Sequence, residues 1–161
     1  MNFEDAETYI PLITVHRTEP KPAATEIKAT VTVKDENGLL GEGDTITLVN
    51  QADVADSHDV TTANATEVTL KVNATYDVVS SNLDIAASVD GKATVATTTE
   101  DKDIVIELTS TVVNPVVEIN DPGKVLPEGA KITLTNDSDA TEVVTLKDGE
   151  TVKLSIGAGY T

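Results

Sequence analysis

Residues 35–50, DENGLLGEGDTITLVN, return at residues 121–136 as DPGKVLPEGAKITLTN. Leu40 aligns with Leu126, Glu42-Gly43 with Glu128-Gly129, Ile46-Thr47-Leu48 with Ile132-Thr133-Leu134, and Asn50 with Asn136. The offset is constant at 86 residues (121 − 35 = 86). Further on, Val60-Thr61 align with Val144-Thr145, Val68 with Val152, and residues 70–76 with residues 154–160. There the offset is 84 (160 − 76 = 84), so two residues are expected to be missing from one loop of the second copy. Self-similarity at a fixed period marks stacked or strung structural units. The first copy runs on past Tyr76 to Ser110, whereas the second has one residue after Tyr160.

The segments between these landmarks read as short strands. In ATEIKATVTVKD, Ile27, Ala29, Val31 and Val33 alternate with Lys28, Thr30, Thr32 and Lys34, the period of a half-buried strand. DTITLVN, HDVTT, EVTLKVN, TYDVVSS, LDIAASVD, GKATVATTT and KDIVIELTS continue the series, with QADVADSH as a polar loop. Asp90-Gly91 is a hairpin signal, and Glu36-Asn37-Gly38 and Asn64-Ala65 mark turns. About seven to nine strands at this spacing predict an all-β, antiparallel β-sandwich over residues 23–112. Residues 113–161, opened by Asn114-Pro115, supply strands at VVEIN, AKITLTN, TEVVTL and TVKLSI, about four where a sandwich needs about seven. The second unit is therefore expected to lack equivalents of residues 83–108. Completion is expected either from chain beyond Thr161 or from another molecule, with residues 10–15 a candidate donor by β-strand addition.

Residues 1–22 have no counterpart in the repeat. YIPLITVHRTEPKP holds one apolar run, closed by Pro20 and Pro22, and predicts an extended anchoring arm with a stiff linker. Phe3, Tyr9, Ile10, Leu12, Ile13 and Val15 are its candidate partner-docking residues.

Composition narrows the function. The chain has 161 residues and a net charge of −17, which disfavours nucleic acid and anionic membrane surfaces as direct partners. Aromatic residues make up only 2%, leaving few anchors for tight contacts and no base-stacking platform. No run approaches the ~18 apolar residues of a membrane span. The acidic N-terminus, with Pro11 breaking its apolar run, does not read as a signal peptide. The absence of cysteine leaves no disulfide, Cys-zinc site or thiol nucleophile, so packing and sheet hydrogen bonds must hold the fold.

Val31, Val33, Asp35, Gly38, Leu40, Gly43, Ile46, Leu48, Tyr76 and Val78 form a pattern that resembles bacterial immunoglobulin-like repeats. It is most similar to carboxypeptidase-regulatory and collagen-adhesin B-type domains. The resemblance covers most of residues 26–110 and the first half of a second unit. It implies tandem immunoglobulin-like sandwiches of the kind that serve as spacers and display modules in surface adhesins and as decorations on tailed-phage virions. LPEGA at Leu126 is not a sortase signal, which shifts weight from the adhesin setting to the virion. The adhesin likeness also implies an internal Lys–Asn isopeptide bond, for which Lys28 or Lys34, Asn114 and an acid such as Glu67 are the candidates.

Residues for chemistry are sparse. His16 and His58 stand in no recognisable Ser or Cys constellation, and Gly38, Gly41 and Gly43 lack the following Lys-Ser/Thr of a phosphate loop. Asp53, Asp56, Ser57 and Asp59 form an acidic loop that suits Ca²⁺ only loosely and shortens in the second copy. We therefore expect no enzyme, no cofactor and no metal. The expected role is a structural display protein of a virion, docked by its arm on a capsid or other virion protein. Homo-oligomerisation is also expected. The alternative is a module of a bacterial cell-surface adhesin or pilus with a cell-surface ligand.

Overall fold

Wherever branched residues alternate with polar ones, the chain forms strand. The computed structural model describes residues 19–60 and 65–161. Its first eight strands are β1 (Glu26–Lys34), β2 (Ile46–Asn50), β3 (Asp53–Val60), β4 (Thr66–Lys71), β5 (Thr75–Ser80), β6 (Ile85–Ser88), β7 (Thr94–Ala96) and β8 (Lys102–Ser110). Four more follow: β9 (Val112–Val113), β10 (Ile132–Asn136), β11 (Asp139–Leu146) and β12 (Leu154–Ser155). The described residues contain no helix, and the chain is all-β.

Strands β1 to β8 form two four-stranded sheets, ordered β4-β1-β8-β6 and β3-β2-β5-β7. One core draws on both: Ile27, Ala29, Val31 and Val33 of β1, Ile104, Ile106 and Leu108 of β8, and Ile46, Leu48, Tyr76 and Val78 from the opposite sheet. This is consistent with a β-sandwich. The expected wholly antiparallel pairing needs correction, because β1 and β8 run parallel, Val31 opposite Ile104 and Val33 opposite Ile106. Both strands are central in their sheet, and both bury every second side chain.

The turn at Asp90-Gly91 forms as expected. Both residues have positive φ, 50° and 74°, a conformation glycine takes without strain and Asp tolerates. Val89 and Lys92 exchange backbone bonds of 2.8 and 3.0 Å across it. The two strands it joins then part, β6 into one sheet and β7 into the other. The tight turn is therefore a crossing between layers rather than a simple hairpin.

Residues 53–59 are not a loop but most of β3, paired with β2 from Ile46–Val60 to Asn50–Asp53. β3 lies at a sheet edge, where main-chain pairing suffices, so only Val60 of its eight residues is buried. The same register corrects the repeat alignment. Val60 stands opposite Ile46, and Leu146 stands opposite Ile132, so the counterpart of Val60 is Leu146 and not Val144. The β3 hairpin is not shortened in the second copy. The two missing residues fall after β11, since Glu67 faces Thr30 where Thr151 faces Val116.

The second copy repeats the first in detail. Both hairpins slip register before the same Asn, at Val49/Asn50 and at Thr135/Asn136. The Asp35 carboxylate accepts the Leu39 and Leu40 N–H groups at 2.7 and 3.0 Å, and Asp121 accepts those of Val125 and Leu126 at 2.9 Å. β12 pairs with β9, Leu154 opposite Val113, as Leu70 pairs with Ile27. Tyr160 bridges to Asn136 as Tyr76 pairs with Asn50. The copies are joined closely: the Ile156 N–H donates to the Thr111 carbonyl at 2.7 Å, and Lys153 pairs with Asp84 at 3.0 Å.

Candidate docking surface

A polar clamp fixes the β2–β3–β5 layer. Asn50 Nδ2 donates to Asp56 Oδ2 at 2.8 Å, and the Tyr76 hydroxyl donates to the same oxygen at 2.7 Å. That hydroxyl also accepts the Lys71 N–H at 2.9 Å, tying β5 to the end of β4. His58 Nε2 lies 2.8 Å from Asp56 Oδ1, and Lys71 Nζ lies 3.8 Å from Asp56 Oδ2. Burial opposes ionisation of Asp56, but the bonds from Asn50, Tyr76 and His58 and the charge of Lys71 outweigh it and hold its carboxyl below the usual range. Burial pushes the Tyr76 phenol up.

The second copy carries the same clamp. Asn136 Nδ2 donates to Glu142 Oε2 at 2.6 Å, the Tyr160 hydroxyl donates to Glu142 Oε1, and the Ser155 N–H donates to Tyr160 at 2.9 Å. The Tyr160 bond, then that of Asn136, hold the Glu142 carboxyl low. Glu142 stands at the position of Asp56, one methylene longer. Asn136, Glu142 and Tyr160 are therefore the scaffold of the unit and not a separate site.

Replacing Asp56 by Asn keeps the shape and removes the charge. Its lowered native pKa means the carboxylate stabilises the fold above the unfolded value near 4, and this contribution disappears as pH falls through the native value. At neutral pH the D56N protein is expected to be about 1–3 kcal/mol less stable, the worth of charge-assisted bonds. Below pH ~4 the two proteins should converge. Urea unfolding across pH 3–7 checks this. Comparing two chains cancels the self-repulsion of the other carboxylates.

What differs between the copies is cover. Ile46, Leu48, Leu70 and Tyr76 are each 0% exposed, while their counterparts Ile132, Leu134, Leu154 and Tyr160 are only half-buried. Val31 is fully buried, and its counterpart Val117 is half-buried. In the first copy these side chains are closed over by β6, β7 and β8, and the described residues after Tyr160 provide no such strands. Val116 at 69%, Ile156 at 56% and Val143 at 53% exposure add apolar surface around the open face. This face, with the free side of the strand at residues 112–119, is the candidate docking surface.

The other candidates resolve differently. Phe3, Tyr9, Ile10, Leu12, Ile13 and Val15, and His16, lie outside the described residues. Asp53, Asp56 and Asp59 do not converge: Asp53 pairs with Lys71 at 3.1 Å, Asp56 joins the clamp, and Asp59 accepts from Thr47 at 2.6 Å. The described residues hold no cluster of three or more His, Cys, Asp or Glu that suits a metal ion. Lys28 and Glu67 do meet, at 3.2 Å, but in an exposed ion pair, their side chains 68% and 66% accessible. Lys34 and Asn114 are exposed too, so the enclosed setting of an isopeptide bond is not formed. His58 is absorbed by the clamp, its ring 6.2 Å from that of Tyr76. The clamp itself is what sequence reasoning missed, although Asn, acid and Tyr recur in both copies. No protein-family model matches this chain, and no curated protein matches it.

Proposed function

We propose that the protein is a structural display component of a virion, anchored by residues 1–22 and projecting tandem immunoglobulin-like units. One observation carries the reading: β units that repeat each other down to single hydrogen bonds follow a segment with no counterpart in the repeat. A repeated scaffold makes length and spacing, and an unrepeated segment is suited to one specific attachment. The acidity fits exposed units that repel one another and stay soluble at high local density. The side chains with polar chemistry, Asn50, Asp56, His58, Lys71 and Tyr76, are engaged in holding the layers together. Polarity spent in this way suits a scaffold.

The test is assembly. Particles produced with a chain lacking residues 1–20 should lack the protein, whereas particles produced with the full chain should carry it. The truncated chain should still show the protected amides of β1 to β8. Incorporation of the truncated chain would overturn arm docking. Recovery of the full chain only in the cell envelope would overturn the virion setting in favour of an adhesin.

A further inference from the structure

The free side of the strand at residues 112–119 is defined by its own hydrogen bonds. Val116 faces Thr151 in an antiparallel bridge. The bonds flanking that bridge are made by its neighbours: Val152 N–H donates to the Pro115 carbonyl at 3.0 Å, and Val117 N–H to the Glu150 carbonyl at 2.8 Å. The Ile119 N–H turns the same way, to Asp148 Oδ1 at 2.8 Å. Main-chain groups of successive strand residues alternate in direction. Those of Asn114, Val116 and Glu118 therefore point to the opposite side. In the first copy that side is occupied by β8, with Asp103 opposite Thr30, the counterpart of Val116. Pro115 falls on the bonded side, so its missing N–H leaves the open side intact.

An edge and an apolar face are thus unfilled together, and the first copy shows the shape that fills both. β8 runs parallel to β1, gives its main-chain groups to that edge and sends Ile104, Ile106 and Leu108 into the core. We propose that residues 114–119 receive, in parallel, an extended segment of another polypeptide chain bearing branched aliphatic residues at alternate positions. This is strand addition to an exposed edge. Packing two copies of this chain face to face would cover side chains but leave the edge groups unpaired. It would also bring together two chains of charge −17. A single inserted strand satisfies edge and face at once.

The probe is a peptide of residues 101–111, DKDIVIELTST, added to the full chain. Calorimetry should show one saturable site, and amide exchange should slow at Val116 and Glu118. A peptide with Ile106→Asp should not bind. Val116→Pro in the protein removes one donor from the open side only. It should weaken peptide binding about tenfold, the worth of one hydrogen bond, while the Val117 and Val152 amides keep their protection. Four results would overturn the proposal. The first is no binding, and the second is binding indifferent to both changes. The third is protection confined to β1, which would mean exchange with β8. The fourth is binding only after residues 1–18 are removed, which would assign the edge to this chain's own arm. A dimer whose Val116 and Glu118 amides exchange freely would overturn it as well, in favour of face-to-face packing.

Discussion

Replacing Ile106 by Asp is expected to unfold strands β1 to β8 at room temperature. Ile106 is 0% exposed and lies on β8, between β1 and β6, opposite Val33. The substitution removes a buried aliphatic side chain, which costs about 2–5 kcal/mol by itself. It also places a carboxyl among Val33, Ile104 and Leu108, where no donor is at hand. An unpaired buried charge adds several kcal/mol, or forces protonation at a similar cost. The total approaches the whole stability of a domain of this size, about 5–15 kcal/mol. Circular dichroism and urea denaturation should show no cooperative transition from a folded baseline. A protein with a near-native midpoint would mean that β8 is not central to the core. Val105, next along the strand and 39% exposed, is the control: Val105→Asp should cost less than about 1 kcal/mol.

The second large effect is a difference between two identical substitutions. Ile46 and Ile132 occupy the same place in the repeat, opposite Val60 and Leu146. Ile46 is 0% exposed and packs against the opposite sheet, so Ile46→Ala should cost about 3–4 kcal/mol. Ile132 is half-buried, with no second layer above it. Ile132→Ala leaves no enclosed cavity and should cost about 1 kcal/mol, the transfer of a few methylenes already part-wet. Chemical denaturation followed by residue-resolved exchange separates the two regions. Equal costs would mean that the second unit is covered as well as the first.

The sequence was a good guide to strands and a poor one to how they are arranged. Ile27, Ala29, Val31 and Val33 were legible because one face of β1 is buried and the other wet. β3 was not, because an edge strand needs no apolar stripe and DVADSHDV offers none. The parallel pairing of β1 with β8 was hidden for another reason. Strands 73 residues apart in the chain (Ala29 and Lys102) meet through tertiary packing, and nothing local announces the direction. The Asp90-Gly91 turn was visible, but its role as a crossing between layers depends on where β6 and β7 go afterward. The repeat was plain from Ile46-Thr47-Leu48, yet matching Val60 to Val144 placed the gap inside a hairpin that the register shows to be intact. The missing strands of the second copy were legible from length alone. The clamp could have been found there too, had the acids Asp56 and Glu142 been aligned along with Asn50, Asn136, Tyr76 and Tyr160.

The contrast in cover between two otherwise matching units underlies both the stability differences and the open edge. Native-state amide exchange on the full chain measures it most directly, because each amide reports the free energy of its own opening. Leu48 and Leu134, at equivalent positions in β2 and β10, are the amides to compare. Leu48 should exchange only through global unfolding of the first unit. Leu134 should exchange at least about a hundredfold faster, a gap of roughly 3 kcal/mol. Protection within a few-fold of each other would contradict the open second unit and, with it, the docking surface built on it.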